Sequence, residues 1–149
     1  MQNHPQFKDF QKSLTIVFFA LLGSQIVFAL VALGLISSGI EIANPEFRTY
    51  GLIIVPFLVL AGFIASRMVP VKLLERASTS NDIEEKFNHY RSALIIRLGL
   101  LETPSFFAII AYLFTGERLF LGFVGMILFY FITLFPSENR IITDLSQEE

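Results

Sequence analysis

Four long apolar runs, over residues 14–36, 50–68, 93–115 and 119–135, constrain this chain more than any other feature of it. A helix rises about 1.5 Å per residue, so about 20 apolar residues cross the roughly 30 Å of bilayer hydrocarbon. Each run falls in the usual spread of about 17–25 residues. The expectation is an all-α protein, a single membrane domain over residues 1–149 built as an integral bundle of four transmembrane helices. The connectors are residues 37–49, a longer loop over 69–92 and the tight Gly116-Glu117-Arg118 turn, with a tail over 136–149. The tight turn makes the last two helices an antiparallel hairpin.

Composition agrees with lipid as the solvent. Of 149 residues 54% are hydrophobic and only 16% are charged, more apolar surface than a soluble domain of this size can hide. Seventeen Phe and no Trp leave Tyr50, Tyr90, Tyr112 and Tyr130 as the amphipathic aromatic anchors. A net charge of −2 with dispersed basic residues argues against nucleic acid as a partner. Without cysteine the chain has no disulfides, thiolate metal sites, Fe–S clusters or dithiol relays. The first apolar run exceeds a signal-peptide core of about 7–15 residues and is not followed by a small-x-small cleavage site, so it is expected to stay in the mature protein.

Cytoplasmic segments of membrane proteins carry the excess of Lys and Arg. Lys8, Lys12, Arg67, Lys72, Arg76, Lys86, Arg91 and Arg140 fall on one side of the four runs, Arg48 and Arg118 on the other, and Arg97 lies inside the third. Both termini are therefore expected in the cytoplasm, and the protein in the inner (plasma) membrane as a multi-pass chain.

The third helix is expected to begin before the membrane and run to Thr115. Ser80-Asn81-Asp82 supplies N-cap candidates, and Glu84 and Glu85 suit the positive end of a helix dipole. In this extension Ile83, Phe87, Tyr90 and Leu94 form one stripe at helical spacing, to be covered by Val71, Leu73 and Leu74 of the same loop or by the tail. Pro136-Ser137-Glu138 starts a short helix with Ile141, Ile142 and Leu145 on one face, too short to fold alone. The two halves share no repeat, which argues against an inverted-repeat transporter within one chain.

Helices in lipid associate through small residues and polar contacts. The expected seams are Ala20, Gly23 and Ser24 in the first helix; Ala61, Gly62, Ala65 and Ser66 in the second; Ser105, Ala108 and Ala111 in the third; and Gly122 and Gly125 in the fourth. Phe18, Phe19 and Phe28 are expected to look outward.

Chemistry should sit where polarity is placed in hydrocarbon, since an ionisable group at the bilayer centre costs at least about 2.5–3.5 kcal/mol. The third helix carries two such groups. Arg97, about one turn inside the edge, can snorkel to the headgroups. Glu102, near mid-span beside Thr103 and Pro104, is expected to be protonated or paired with a buried donor. Arg97 lies about 140° round the helix from it, so the expected partners are Gln25 and Ser24 at the middle of the first span, or Arg67. Pro104 frees the carbonyl of Leu100, as Pro56 frees that of Leu52, and a freed carbonyl beside an acid can bind a cation or a water. The candidate ion, proton or packing site is thus Glu102, Gln25, Arg97 and Pro104.

Catalytic chemistries lack their residues. His4 and His89 lie outside the spans, leaving haem b without axial ligands. There is no H-E-x-x-H and no intramembrane Ser with a His or Lys base. Glu85 and His89 at i, i+4 make an incomplete metal site. No catalytic residue, cofactor or metal is expected.

The stretch over 66–116, with SRMVPVKLLERASTSNDIEEKFNHYR leading into LGLLETPSFFAIIAYLF, resembles the hairpin of rotary ATPase c subunits. That resemblance implies a mid-membrane carboxylate, here Glu102, that takes up and releases a proton or sodium ion. The glycine-rich stripe and loop signature of that family are missing, and two further spans enclose the hairpin. Small multidrug exporters also have four helices and one intramembrane Glu, but on the first helix, where this chain has Gln25. As a whole the chain resembles uncharacterised bacterial four-span inner-membrane proteins with an Arg-x4-Glu-x-Pro pattern in the third helix, which implies a family and no activity. Two functions are carried forward. One is a non-enzymatic membrane component, an accessory subunit or homo-oligomer, in which Glu102, Gln25 and Arg97 specify packing. The other is proton- or cation-coupled transport with Glu102 titrating.

Overall fold

A computed structural model of the chain describes residues 5–40 and 44–146, and every regular element among them is an α-helix. Helix α1 spans Pro5–Ser37 and α2 spans Pro45–Met68. Both begin earlier than their apolar runs. The 33 residues of α1 measure about 50 Å, so its first turns stand outside any hydrocarbon layer. For α2 the cause is local: Asn44 caps the helix, accepting from the backbone N–H of Glu46 at 3.1 Å and of Phe47 at 3.2 Å, and Pro45 follows where no donor is needed.

The segment over 69–92, read from the sequence as a loop, is itself helical. Pro70 has no N–H to continue the α2 ladder, and its carbonyl instead starts α3 (Val71–Thr79). The stretch over 66–116 is therefore not a plain two-helix hairpin. Helix α4 runs over Ile83–Thr115 as expected. Asp82 caps it by accepting from the Glu84 N–H, and Gly116 ends it at φ 64°, a left-handed conformation that suits glycine. Helix α5 (Arg118–Thr133) and the short α6 (Glu138–Ser146) complete the chain.

Three described helices are long and apolar enough to cross a membrane alone. A fourth crossing is reached only if α5, 16 residues long, is counted with α6, from which it is bent by 73°. The chain is thus a helical protein with three to four segments suited to a bilayer.

Contacts fix the helix directions. Ser13 meets Arg91, Ser24 meets Glu102 and Phe28 meets Phe106, so α1 runs parallel to α4 in constant register. Phe47 packs on Phe114 and Gly62 on Leu100 and Pro104, so α2 is antiparallel to α4. Helix α5 touches α2 through Phe120 against Gly51 and Tyr130 against Phe63. Helix α4 is the axis, contacting α1, α2, α3 and α5, whereas α1 and α2 make little contact with each other. Accordingly 44% of the most apolar window of α4 is buried, against 17% and 22% for α1 and α2.

This arrangement gathers Lys8, Lys12, Arg67, Lys72, Arg76, Lys86, Arg91 and Arg140 at one end, with α3 and α6. The opposite end is tied by the Asn44 N–H donating to the Phe114 carbonyl and by Arg48 on Glu117 at 2.9 Å.

At the cation-rich end the exposed first turns of α4 are clad. Phe10 stacks on Phe87 with ring centroids 4.3 Å apart, and Phe7 adds a tilted contact at 6.2 Å. Of the expected cover, Leu74 of α3 lies beside Tyr90 and Leu94, Leu73 is half-buried outside the core, Val71 faces outward, and the tail adds Asp144 against Tyr90 while its Ile141 and Leu145 are buried. The cover from α1 was not anticipated, because the polar start of the chain hides two phenylalanines seven and four residues before the apolar run.

Several expected seams are corrected. Gly62, Ser66, Ser105, Ala108 and Ala111 are buried between helices and Ser24 meets α4 from an exposed edge, but Ala20, Ala61, Gly122 and Gly125 are exposed. A Cβ on Gly122, Gly125 or Gly23 would meet nothing within 4 Å. Phe18, expected to face out, is buried against Phe131 and Phe135. Phe19 is exposed as expected, and Phe28 is half-buried on Phe106.

Candidate functional site

At mid-span the polar residues of α4 divide between two faces. Glu102 points to α1, where the Ser24 hydroxyl lies 2.8 Å from its Oε1. The same hydroxyl lies 2.8 Å from the Leu21 carbonyl oxygen in its own helix. One hydroxyl hydrogen serves both oxygens. The pair can therefore be completed from either side: Ser24 donates to a carboxylate, or a carboxyl donates to Ser24 while Ser24 donates to Leu21. Glu102 is half-buried and Ser24 exposed, so the pair lies on the outer edge of the α1–α4 seam.

Pro104 and the carbonyl it frees turn the other way. A Cβ added to Gly62 of α2 would come within 2.8 Å of both the Leu100 carbonyl oxygen and Pro104 Cγ. The unpaired carbonyl is thus covered by α2 where Gly62 lets it come close to α4. Residues two apart on a helix lie about 160° from each other, so Glu102 and the Leu100 carbonyl do not converge. The carboxylate and the helix break, which the sequence places side by side, are separate features.

Gln25 and Arg97 are not brought to Glu102. Gln25 is fully buried, its amide nitrogen reaching back 3.4 Å to the Leu21 carbonyl, and its Oε1 has no partner among the described residues. The buried Ser105 hydroxyl is likewise unpaired. Arg97 lies toward the cation-rich end, where with Tyr90, Arg140 and Asp144 it lines a small recess floored by Pro70, Leu74, Ala93 and Leu94. Arg67, the other candidate partner for Glu102, also belongs at this end. Tyr130 is within electrostatic reach of both Arg67 and Arg97, short of a well-formed hydrogen bond.

In the recess Tyr90 donates to Asp144 at 3.1 Å, and Arg140 Nε lies 3.9 Å from the same carboxylate. Burial first, and then the Asp144 charge, hold the Tyr90 hydroxyl well above its ordinary pKa of about 10, with Arg140 and Arg97 opposing. This cluster was not legible in the sequence. Tyr90 stood out as an anchor and stripe residue, but no spacing links it to Asp144, 54 positions away.

No described cluster of three or more His, Cys, Asp or Glu could hold a metal. Glu85 accepts from the Ser80 hydroxyl at 3.1 Å, which accounts for it as part of the helix start. His4 lies outside the described residues. In comparisons with known proteins, no family model, no curated protein and no solved structure matches the chain.

Proposed function

We propose that this chain is a non-enzymatic component of the inner (plasma) membrane, an accessory subunit or a homo-oligomer, in which Glu102 fixes the packing of α1 on α4. It crosses four times, with both termini and the α3 layer in the cytoplasm. The observation that carries the packing role is the Ser24–Glu102 bond, which joins two parallel helices at mid-span and can form with the proton on either partner. The alternative, proton- or cation-coupled transport through Glu102, has less behind it. A cation site needs several convergent oxygens, and the Leu100 carbonyl is covered by α2 while Gln25 makes its one side-chain contact through the amide nitrogen, to the Leu21 carbonyl. The topology is supported by the cations gathered at one end and by the alternating helix directions.

Glu102→Gln tests the role. An amide can still bond Ser24, so the variant should melt within about 1 kcal/mol of the parent in lipid bicelles, while Glu102→Ala loses the bond and is less stable by about 0.6–1.7 kcal/mol. Neither the parent nor the variant should pass protons or sodium in proteoliposomes. A gradient-driven flux in the parent that Glu102→Gln abolishes would establish the transport reading instead.

The absence of native cysteine makes topology directly measurable. Ser38→Cys should react with an impermeant maleimide outside intact, right-side-out vesicles, and Asn81→Cys only after permeabilisation. Labelling of both from the same side would overturn the four-span arrangement.

A further inference from the structure

The cation-rich end holds a charge imbalance that the packing role of Glu102 does not use. Asp144 is the one carboxylate lining the recess, and it is engaged by the Tyr90 hydroxyl and by Arg140. Arg140 also donates through Nη1 to the Thr133 carbonyl. Arg67 and Arg97 are left over. Neither has an ion-pair partner among the described residues; both lie beside the neutral Tyr130 hydroxyl, and the Arg97 Nε is fully buried without a partner. Arg67 lies one helical turn beyond Phe63, whose ring packs 4.8 Å from that of Tyr130, so it reaches the same level of the bundle as Arg97. A guanidinium drawn into a low-dielectric site without a counter-charge is costly, and this one has company of its own sign. An anion is the missing element.

The position says which anion. The cluster sits about one turn inside the apolar edge of α4, with the amphipathic rings of Tyr90 and Tyr130 beside it, at the depth where lipid phosphates meet hydrocarbon. Planar guanidinium forks match phosphate oxygens in pairs, which point-like ammonium groups do not. The recess beside Arg97 holds only about 10 Å³, so the group must lie at its mouth, on the side of Arg67 and Tyr130.

We propose that Arg67, Arg97 and Arg140 form a binding site for a phosphate group, that of an acidic phospholipid headgroup in the leaflet at the α3–α6 end. The site is independent of the role given to Glu102.

The test is the melting of the full chain in a neutral detergent, titrated separately with phosphatidylglycerol, phosphatidylcholine and inorganic phosphate. Phosphatidylglycerol should raise the melting temperature saturably by several degrees, and phosphatidylcholine should do much less. Arg97→Gln should weaken the phosphatidylglycerol response about tenfold, the loss of one charge-assisted contact. The exposed Arg67→Gln, which removes no packing, should weaken it in the same direction. Lys72→Gln and Arg76→Gln, exposed cations at the same end, should leave it unchanged. A response to inorganic phosphate that competes with the lipid would keep the phosphate site but make its ligand a soluble anion. Equal responses to both lipids, or equal losses from Lys72→Gln and Arg67→Gln, would overturn the site, the latter by reducing it to diffuse charge.

Discussion

Replacing Gly62 by alanine is expected to be among the most damaging single changes to this protein, although alanine is the smallest step available. The new methyl carbon would stand 2.8 Å from the Leu100 carbonyl oxygen and 2.8 Å from Pro104 Cγ. Neither can step aside, because one is helix backbone and the other a ring fused to it. Helix α2 must then retreat from α4 along the interface that also buries Ser66 and Val59. Overpacking of this kind costs about 1–3 kcal/mol, and Gly62→Leu should exceed that range. The measurement is thermal melting in bicelles beside Gly125→Ala, whose new methyl would touch nothing within 4 Å. Gly125→Ala should be neutral or stabilising by up to about 1 kcal/mol. Equal melting of the two variants would mean that α2 does not approach α4 at Gly62. Combining Gly62→Ala with Pro104→Ala should recover part of the loss, since it removes one of the two obstacles and restores a donor to Leu100.

The second large effect is expected at the other kind of interface, where the start of α1 covers the first turns of α4. Phe10 is 5% exposed and stacked on Phe87 with an interplanar angle of 10°, with the Arg91 guanidinium 5.8 Å from its ring. Truncating a buried phenylalanine costs about 3–5 kcal/mol, of which the stacked pair accounts for about 0.5–1.5. Phe10 is near the start of α1, so part of this loss should appear as local opening, not global unfolding. Phe10→Ala should therefore abolish amide-exchange protection over residues 6–13 while the apolar part of α1 stays protected. Phe19→Ala, at a ring 55% exposed, should leave both regions as they are. Retained protection over residues 6–13 would mean that the stack does not anchor the start of α1.

Both effects reveal how differently the two regions of the molecule are written in its sequence. At the cation-rich end the usual logic of patterning holds. The stripe of Phe87, Tyr90 and Leu94 needed a cover, and it has one, contributed by Phe7 and Phe10 of α1, by Leu74 of α3 and by Asp144 of the tail. The N-cap of α4 and the glycine that ends it were legible for the same reason: caps are contacts between residues two to four apart. The apolar run places the start of α2 at Tyr50 and misses the cap-and-proline pair Asn44-Pro45 that begins the helix five residues earlier.

Along the apolar segments suited to a bilayer the same logic fails. Phe18 is buried and Phe19 exposed, Gly62 is a seam and Gly122 is not, and nothing local distinguishes the members of each pair. Ser24, not the neighbouring Gln25, meets Glu102. An apolar side chain is as content against lipid as against another helix, so helices apolar on every side carry no periodic mark of the face they bury.

By itself, then, the amino-acid sequence determined that the chain is all helical, where its long apolar runs lie, how α4 starts and stops, and which cations share an end, because hydropathy and capping are short-range properties read along the chain; it missed α3 and the early starts of α1 and α2. The tertiary structure alone decided which faces meet. It made α4 the axis, turned Glu102 and the Leu100 carbonyl to opposite neighbours, and assembled Arg67, Arg97 and Arg140 from three helices. Those outcomes depend on how each helix rotates about its own axis against the others, a choice set by close fit at points such as Gly62 and by a few polar contacts spread over distant parts of the chain.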